Sequence, residues 1–146
     1  MNTVESTWDA SSKLLVTHLI GNVSVDDVRL WKESLNRELD RIFDNTNFKL
    51  IVNLYGYEPL SIFVHKEMRS IIPLMLAGYA LRSALLDWFA PVDLPIVKTR
   101  GISCIAVAHI HHDLHKMHGY DKKLGRANQR FFTDYTKAAE WIYAIG

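Results

Sequence analysis

The sequence predicts an α/β domain with a mostly parallel sheet, an N-terminal β-hairpin and helices packed on that sheet. Two runs, residues 48–56 and 102–110, are apolar on both alternating faces, as strands covered from both sides require. Amphipathic segments lie between and after them, which favours right-handed crossovers between parallel strands. The 146 residues are 49% hydrophobic and 23% charged, so we expect one globular domain over residues 1–146.

The opening of the chain is predicted to be a hairpin followed by a helix. Residues 3–8 (TVESTW) and 13–21 (KLLVTHLIG) are β-prone, and the Asp and Ser residues of 9–12 (DASS) favour a turn between them. Ser24 and Asp27 then form a capping-box pattern, which predicts a helix start. Apolar residues at steps of three and four give this helix one buried face: Val28, Trp31, Leu35, Leu39 and Ile42.

The middle of the chain contains its most apolar region. After the central strand at 48–56, the composition predicts one long helical region over 62–89, with Pro73 as a break or kink. It has more apolar residues than one helix face can bury against the core. We therefore expect the remaining apolar surface to be covered by a protein partner, a second subunit or an apolar small molecule. Residues 91–95 (PVDLP) are predicted to be a loop.

The last third of the chain predicts two more strands and two more helices. The strand at 102–110 leads into a helix over 111–125 that stops at one of its two glycines. Residues 128–132 (NQRFF) predict a short strand, and Thr133 is a plausible cap for a final amphipathic helix.

Composition excludes several classes of protein. Lys and Arg total 17 against 16 for Asp and Glu, and a net charge of +1 gives no strong field for nucleic acid. Cys104 is the single cysteine, so neither a disulfide framework nor a thiolate metal cluster is expected, which suits a reducing cytoplasm. The N-terminus has no signal-peptide pattern, and the longest apolar stretch, 71–81, is too short to cross a bilayer. We therefore expect a cytoplasmic protein without a cofactor.

Three segments carry a resemblance to a known family. Residues 14–35 resemble a strand, glycine turn and helix opening, residues 49–56 (KLIVNLYG) a central strand and its turn, and residues 128–142 a Phe-rich strand with an Ala-Trp helix. With the order of elements, these resemble the STAS domain, the fold of anti-sigma factor antagonists and of the cytoplasmic part of sulfate transporters, and within it the SpoIIAA-like group. The resemblance implies a non-enzymatic regulatory or binding module that acts through protein or small-ligand contacts.

The phosphorylation motif of that family is altered here. In phosphorylated members, a serine within Asp-Ser-Ser/Thr-Gly, at the start of the helix after the central strand, is the switch that a kinase and an anti-sigma factor read. Aligned without gaps, the motif falls on residues 61–64, with Ser61 at the acidic position and Ile62 at the switch position. A shift of one residue places Ser61 in the switch role, where a phosphate would meet a helix N-terminus favourably. Asn53 replaces the family Asp of the central strand.

The candidate ligand or partner site lies at the carboxyl ends of the predicted strands. Glu58, Pro59 and Ser61 follow the central strand, and His109 ends the next one, so we expect them at one crevice. Ser61, His109 and Glu58 have the residue types of a hydrolase triad. Since no G-x-S-x-G elbow surrounds Ser61, we predict no catalytic residues.

Five of the seven histidines lie in residues 109–118 (HIHHDLHKMH). On a helix, His111 and His115 would share a face at the i,i+4 spacing that can hold a transition metal. A metal site also needs a ligand from elsewhere, and only Asp113 is near in the sequence. We therefore predict a strand end running into a solvated helix, with His111 and His115 as weak metal candidates.

Three function hypotheses follow. The first is the regulatory or binding module, with a partner protein or second subunit on the region 62–89. The second is a carrier of an apolar small molecule or lipid, because the SpoIIAA-like group also resembles CRAL-TRIO lipid-transfer domains and the chain has surplus apolar helix surface. The third is a hydrolase or metal enzyme built on Ser61 or on the histidine run.

Overall fold

A computed structural model describes residues 2–89 and 93–145 and confirms an α/β fold with a mixed, mostly parallel sheet. The described strands are β1 (Thr3–Asp9), β2 (Leu14–Val23), β3 (Asn47–Leu54), β4 (Tyr57–Pro59), β5 (Ser103–His111) and β6 (Gln129–Phe132). The described α-helices are α1 (Val25–Leu39), α2 (Ile62–Met68), α3 (Ile71–Ala77), α4 (Leu114–Leu124) and α5 (Tyr135–Ala144).

The strand order of the sheet is β1-β2-β3-β5-β6. The short strand β4 lies outside this order and pairs with the end of β2. β1 and β2 form the predicted antiparallel hairpin, while the pairs β2–β3, β3–β5 and β5–β6 are parallel. β4 was not predicted, and the central strand ends at Leu54 instead of Gly56. Gly56 has a φ of 92°, which allows a local turn between β3 and β4, and β4 then continues in the same direction along β2.

Apolar side chains are buried on both faces of the sheet. The larger cluster joins the sheet to α1, α2 and α3, with Trp31, Phe48 and Leu76 fully buried. The Trp31 indole N–H donates to Thr17 Oγ1 at 2.6 Å, so the one polar atom of this ring is satisfied in the core. A smaller cluster packs α5 against the opposite face.

The predicted helical region over 62–89 is interrupted, as Pro73 led us to expect, but its helices are much shorter than predicted. It contains two seven-residue helices, α2 and α3, followed by irregular chain and a 3₁₀ turn at Leu86–Trp88. Pro73 lies in the first turn of α3, where its missing N–H needs no partner, whereas a continuous helix would bring its ring against the carbonyl of Arg69. Of the predicted loop 91–95, residues 91 and 92 lie outside the described residues.

Helix caps confirm one prediction and correct others. Ser24 Oγ accepts from the Asp27 N–H at 3.1 Å and the Asp27 carboxylate accepts from the Ser24 N–H at 2.9 Å, so the capping box is present. The predicted cap Thr133 is wrong, because Asp134 accepts from the backbone at the start of α5. Asp113 likewise caps α4, which starts three residues later than expected.

No helix among the described residues combines the length and apolar character needed to span a membrane.

Candidate ligand-binding cavity

A cavity of about 140 Å³ lies between the sheet, the helices α2 to α4 and the 3₁₀ turn at Leu86–Trp88. The strand register builds its floor: His109 on β5 faces Val52 on β3 and Phe131 on β6, and all three side chains line the cavity. Its other walls are mostly apolar and include Trp31, Met68, Ile72, Trp88 and Met117.

His109 is a buried polar group of this cavity. Its ring stacks on Phe131 with centroids 4.6 Å apart and its Nε2 lies 3.3 Å from Gln129 Oε1. The same oxygen accepts from Ser83 Oγ at 2.9 Å, and because an amide oxygen only accepts, the imidazole proton resides on Nε2. Burial lowers the pKa of His109 to about 4, so the ring is neutral at pH 7. Nδ1 then presents a lone pair, with no hydrogen-bond partner among the described residues.

Two further histidines line the cavity around Tyr57. The Tyr57 hydroxyl lies 3.1 Å from His65 Nδ1, and burial raises the pKa of Tyr57, so the hydroxyl remains protonated. The backbone N–H of Asp113 donates to His111 Nδ1 at 3.0 Å. Burial also lowers the pKa of His65, and lowers that of His111 to about 4. Both rings are therefore neutral at pH 7, and the proton of His111 lies on Nε2 because its Nδ1 accepts.

Two cations lie at the outer part of the cavity lining. The Arg69 guanidinium is 5.3 Å from the centre of the Phe89 ring, and Lys116 Nζ is 5.8 Å from the centre of the Tyr120 ring. Within residues 2–89 and 93–145 neither cation forms a salt bridge, and no Asp or Glu belongs to the lining. The cavity therefore combines apolar walls with an excess of positive charge.

The structure separates the site residues predicted from sequence. Glu58 and Pro59 lie on β4, Ser61 caps α2 by accepting from the Val64 N–H at 3.3 Å, and none of the three belongs to the lining that contains His109. Glu58 Oε1 lies 3.2 Å from Nε2 of His112. Ser61, Glu58 and His109 share no hydrogen bond, so they do not form the relay that a triad requires.

The helical spacing assumed for His111 and His115 is wrong. His111 is the last residue of β5, whereas the exposed His115 lies on α4, because Asp113 starts that helix by accepting from the Lys116 N–H at 3.0 Å. Among the described residues, no group of three or more His, Cys, Asp or Glu side chains is arranged to hold a metal ion.

Several lining residues lie in the region 62–89 predicted to need a cover, but they were not singled out as site residues. His65, Met68, Arg69 and Ile72 recur at the spacing of one helix face, a signal that was readable in the predicted helical region. The inward position of Tyr57 had no comparable signal, because it depends on the unpredicted pairing of β4 with β2.

Comparisons with known proteins gave no relatives: no family model, no curated protein and no solved structure matches this chain.

Proposed function

We propose that the protein is a non-enzymatic binding module that holds a small, largely apolar molecule in the cavity beside His109. The observation that carries the proposal is the lining itself, in which apolar walls surround a few converging polar side chains from separate elements. This combination is typical of small-molecule sites, where the walls supply affinity and the polar groups fix orientation.

The size of the cavity supports a ligand of about one ring. Its volume of about 140 Å³ is close to that of an engineered protein cavity of ~150 Å³ that binds benzene. A membrane lipid is much larger, so within the carrier hypothesis the volume favours a small molecule over a lipid.

A binding role is favoured over hydrolysis by what the candidate catalytic groups contact. Ser61 Oγ is used as a helix cap, the Glu58 carboxylate lies beside His112, and His109 is bonded to Gln129. Each polar group has a structural neighbour, and the three do not share a reaction centre.

The STAS-like, SpoIIAA-like identity belongs to the same proposal, supported by the element order and the N-terminal hairpin.

The experiment is a cavity-filling variant tested with single-ring probes. Met117 lines the cavity and is buried, whereas Met75 lies outside it on α3, so Met117→Phe and Met75→Phe form a matched pair. Ligand-observed NMR with benzoate, benzamide and benzylamine should show at least one bound probe. Its affinity should fall at least about tenfold in Met117→Phe and stay within about twofold in Met75→Phe. Circular dichroism checks that both variants fold. Absence of binding by every probe, or equal binding by both variants, would contradict the proposal.

A second candidate function, association with a second copy of the chain, is favoured by exposed apolar side chains at the start of α2. Leu60, Ile62 and Phe63 are 64%, 74% and 58% exposed. Consecutive exposed residues of this kind are typical of an interaction surface. Sedimentation velocity should show a concentration-dependent dimer that Phe63→Glu weakens, while Phe43→Glu, at another exposed phenylalanine, leaves it intact. A monomer at all concentrations would leave the surface without this role.

A further inference from the structure

We infer that the ligand of the cavity is a small anion, a single-ring carboxylate whose ring lies against the apolar walls and whose charge lies near Lys116 and Arg69. This inference deepens the proposed binding function and rests on it. Three observations carry it: the sign of the charge in the lining, a hydrogen-bond donor available there, and the position of the nearby carboxylates outside the lining.

The first observation is the unbalanced positive charge. Both Arg69 and Lys116 belong to the lining, and over the described part of the chain their side chains contact aromatic rings and no carboxylate. Burial lowers the pKa of His65 most, and the positive charges of Lys116 and Arg69 lower it further. Both cations therefore act on the part of the cavity where His65 lies. An anion placed there would be attracted by two cations at once.

The second observation is a hydrogen-bond donor in the lining. His111 Nδ1 receives a backbone N–H, which leaves an N–H on Nε2 of this neutral ring. This Nε2 has no hydrogen-bond partner among residues 2–89 and 93–145. An N–H donor of this kind is suited to a carboxylate oxygen, because hydrogen bonds to a charged acceptor are stronger than those to a neutral one.

The third observation is that the nearby carboxylates lie outside the lining, although the charge of Asp113 reaches His111 and Lys116 and that of Glu58 reaches Tyr57. Asp113 Oδ1 accepts from the Lys116 N–H at 3.0 Å as the cap of α4. Glu58 Oε1 lies 3.2 Å from His112 Nε2. Neither carboxylate belongs to the cavity lining. A cationic ligand would find no carboxylate in the described lining.

The test compares three probes that share a ring and differ in charge. Isothermal titration calorimetry at pH 7 should show benzoate binding at least about tenfold more tightly than benzamide, with benzylamine weaker still. Equal or tighter binding of benzamide or benzylamine would overturn the inference while leaving the proposed function in place. Binding by none of the three would overturn both.

A pair of lysine variants on one helix locates the charge. Lys116→Met should weaken benzoate binding about fivefold to tenfold and leave benzamide within about twofold, since only the charged probe loses an attraction. Lys122→Met, at an exposed position of α4 outside the lining, should change neither. Unchanged benzoate affinity in Lys116→Met, or an equal loss in Lys122→Met, would contradict the assignment of the anion to this cavity.

Discussion

His109 shows how a single side chain acquires properties that its sequence position does not reveal. Its ring is 8% exposed, is stacked on Phe131 and donates to Gln129, and Gln129 is fixed in turn by Ser83. These contacts select one tautomer, and burial keeps the ring neutral at pH 7. The strand pattern predicted that His109 ends a strand near the carboxyl edge of the sheet, but it contained no information about Ser83, which lies in an irregular segment.

The neutral state of His109 makes stability depend on pH. The unfolded imidazole binds a proton near its ordinary pKa of 6.5, whereas the folded one does so only near 4. The unfolded state therefore holds more protons between these values, and the free energy of unfolding should fall as the pH is lowered from about 6.5 to about 4. His109→Gln should reduce this acid-side loss by on the order of 2–3 kcal/mol, measured by urea unfolding at several pH values. The exposed His115→Gln is the control, and identical pH dependence in all three proteins would show that His109 is not the group responsible.

At the scale of the elements, a local signal predicted the start of α1, whereas the caps Asp113 and Asp134 were missed although their partners also lie within one turn. The signal at α1 is the capping box at Ser24, and both of its hydrogen bonds are local. The division of 62–89 into α2 and α3 was only partly readable. Pro73 predicted a break, but the irregular chain that follows α3 is bonded to distant partners, including Tyr79 to Cys104 and Ala80 to Val97.

The cap of α5 gives a test at this scale. Asp134 accepts from the Thr136 N–H at 2.8 Å and also from the Lys137 N–H, whereas Thr133 lies before the cap. Asp134→Ala should lower the free energy of unfolding by about 1 kcal/mol, because two helix N–H groups lose their acceptor. Thr133→Ala should cost less than about 0.5 kcal/mol, as expected away from a cap. Equal losses in urea unfolding would mean that the threonine shares the capping role.

At the scale of the whole molecule, Cys104 reports on the integrity of the sheet. It is 3% exposed on β5, and burial raises the pKa of its thiol to about 12. An aromatic disulfide reagent at pH 8 should therefore modify the native protein slowly, at a rate set by unfolding, and modify the protein in guanidinium at once. An exposed cysteine introduced as Thr136→Cys in a Cys104→Ala background is the control and should react quickly when native. Equally fast reaction of both would show that β5 opens locally.

By itself the sequence determined the α/β class, the N-terminal hairpin, the two apolar central strands and the cap of α1, because alternation, helical spacing and capping depend on residues close together in the chain. Only the tertiary structure decided the cavity. Its lining comes from β3, β5, β6 and four α-helices, α1 to α4, and Tyr57 reaches it through the pairing of β4 with β2. The net charge of +1 likewise did not reveal that Arg69 and Lys116 both line the cavity, because composition gives the number of charges and not their positions. Which side chains meet is set by strand register and helix packing over long separations, and that information is not contained in any local pattern.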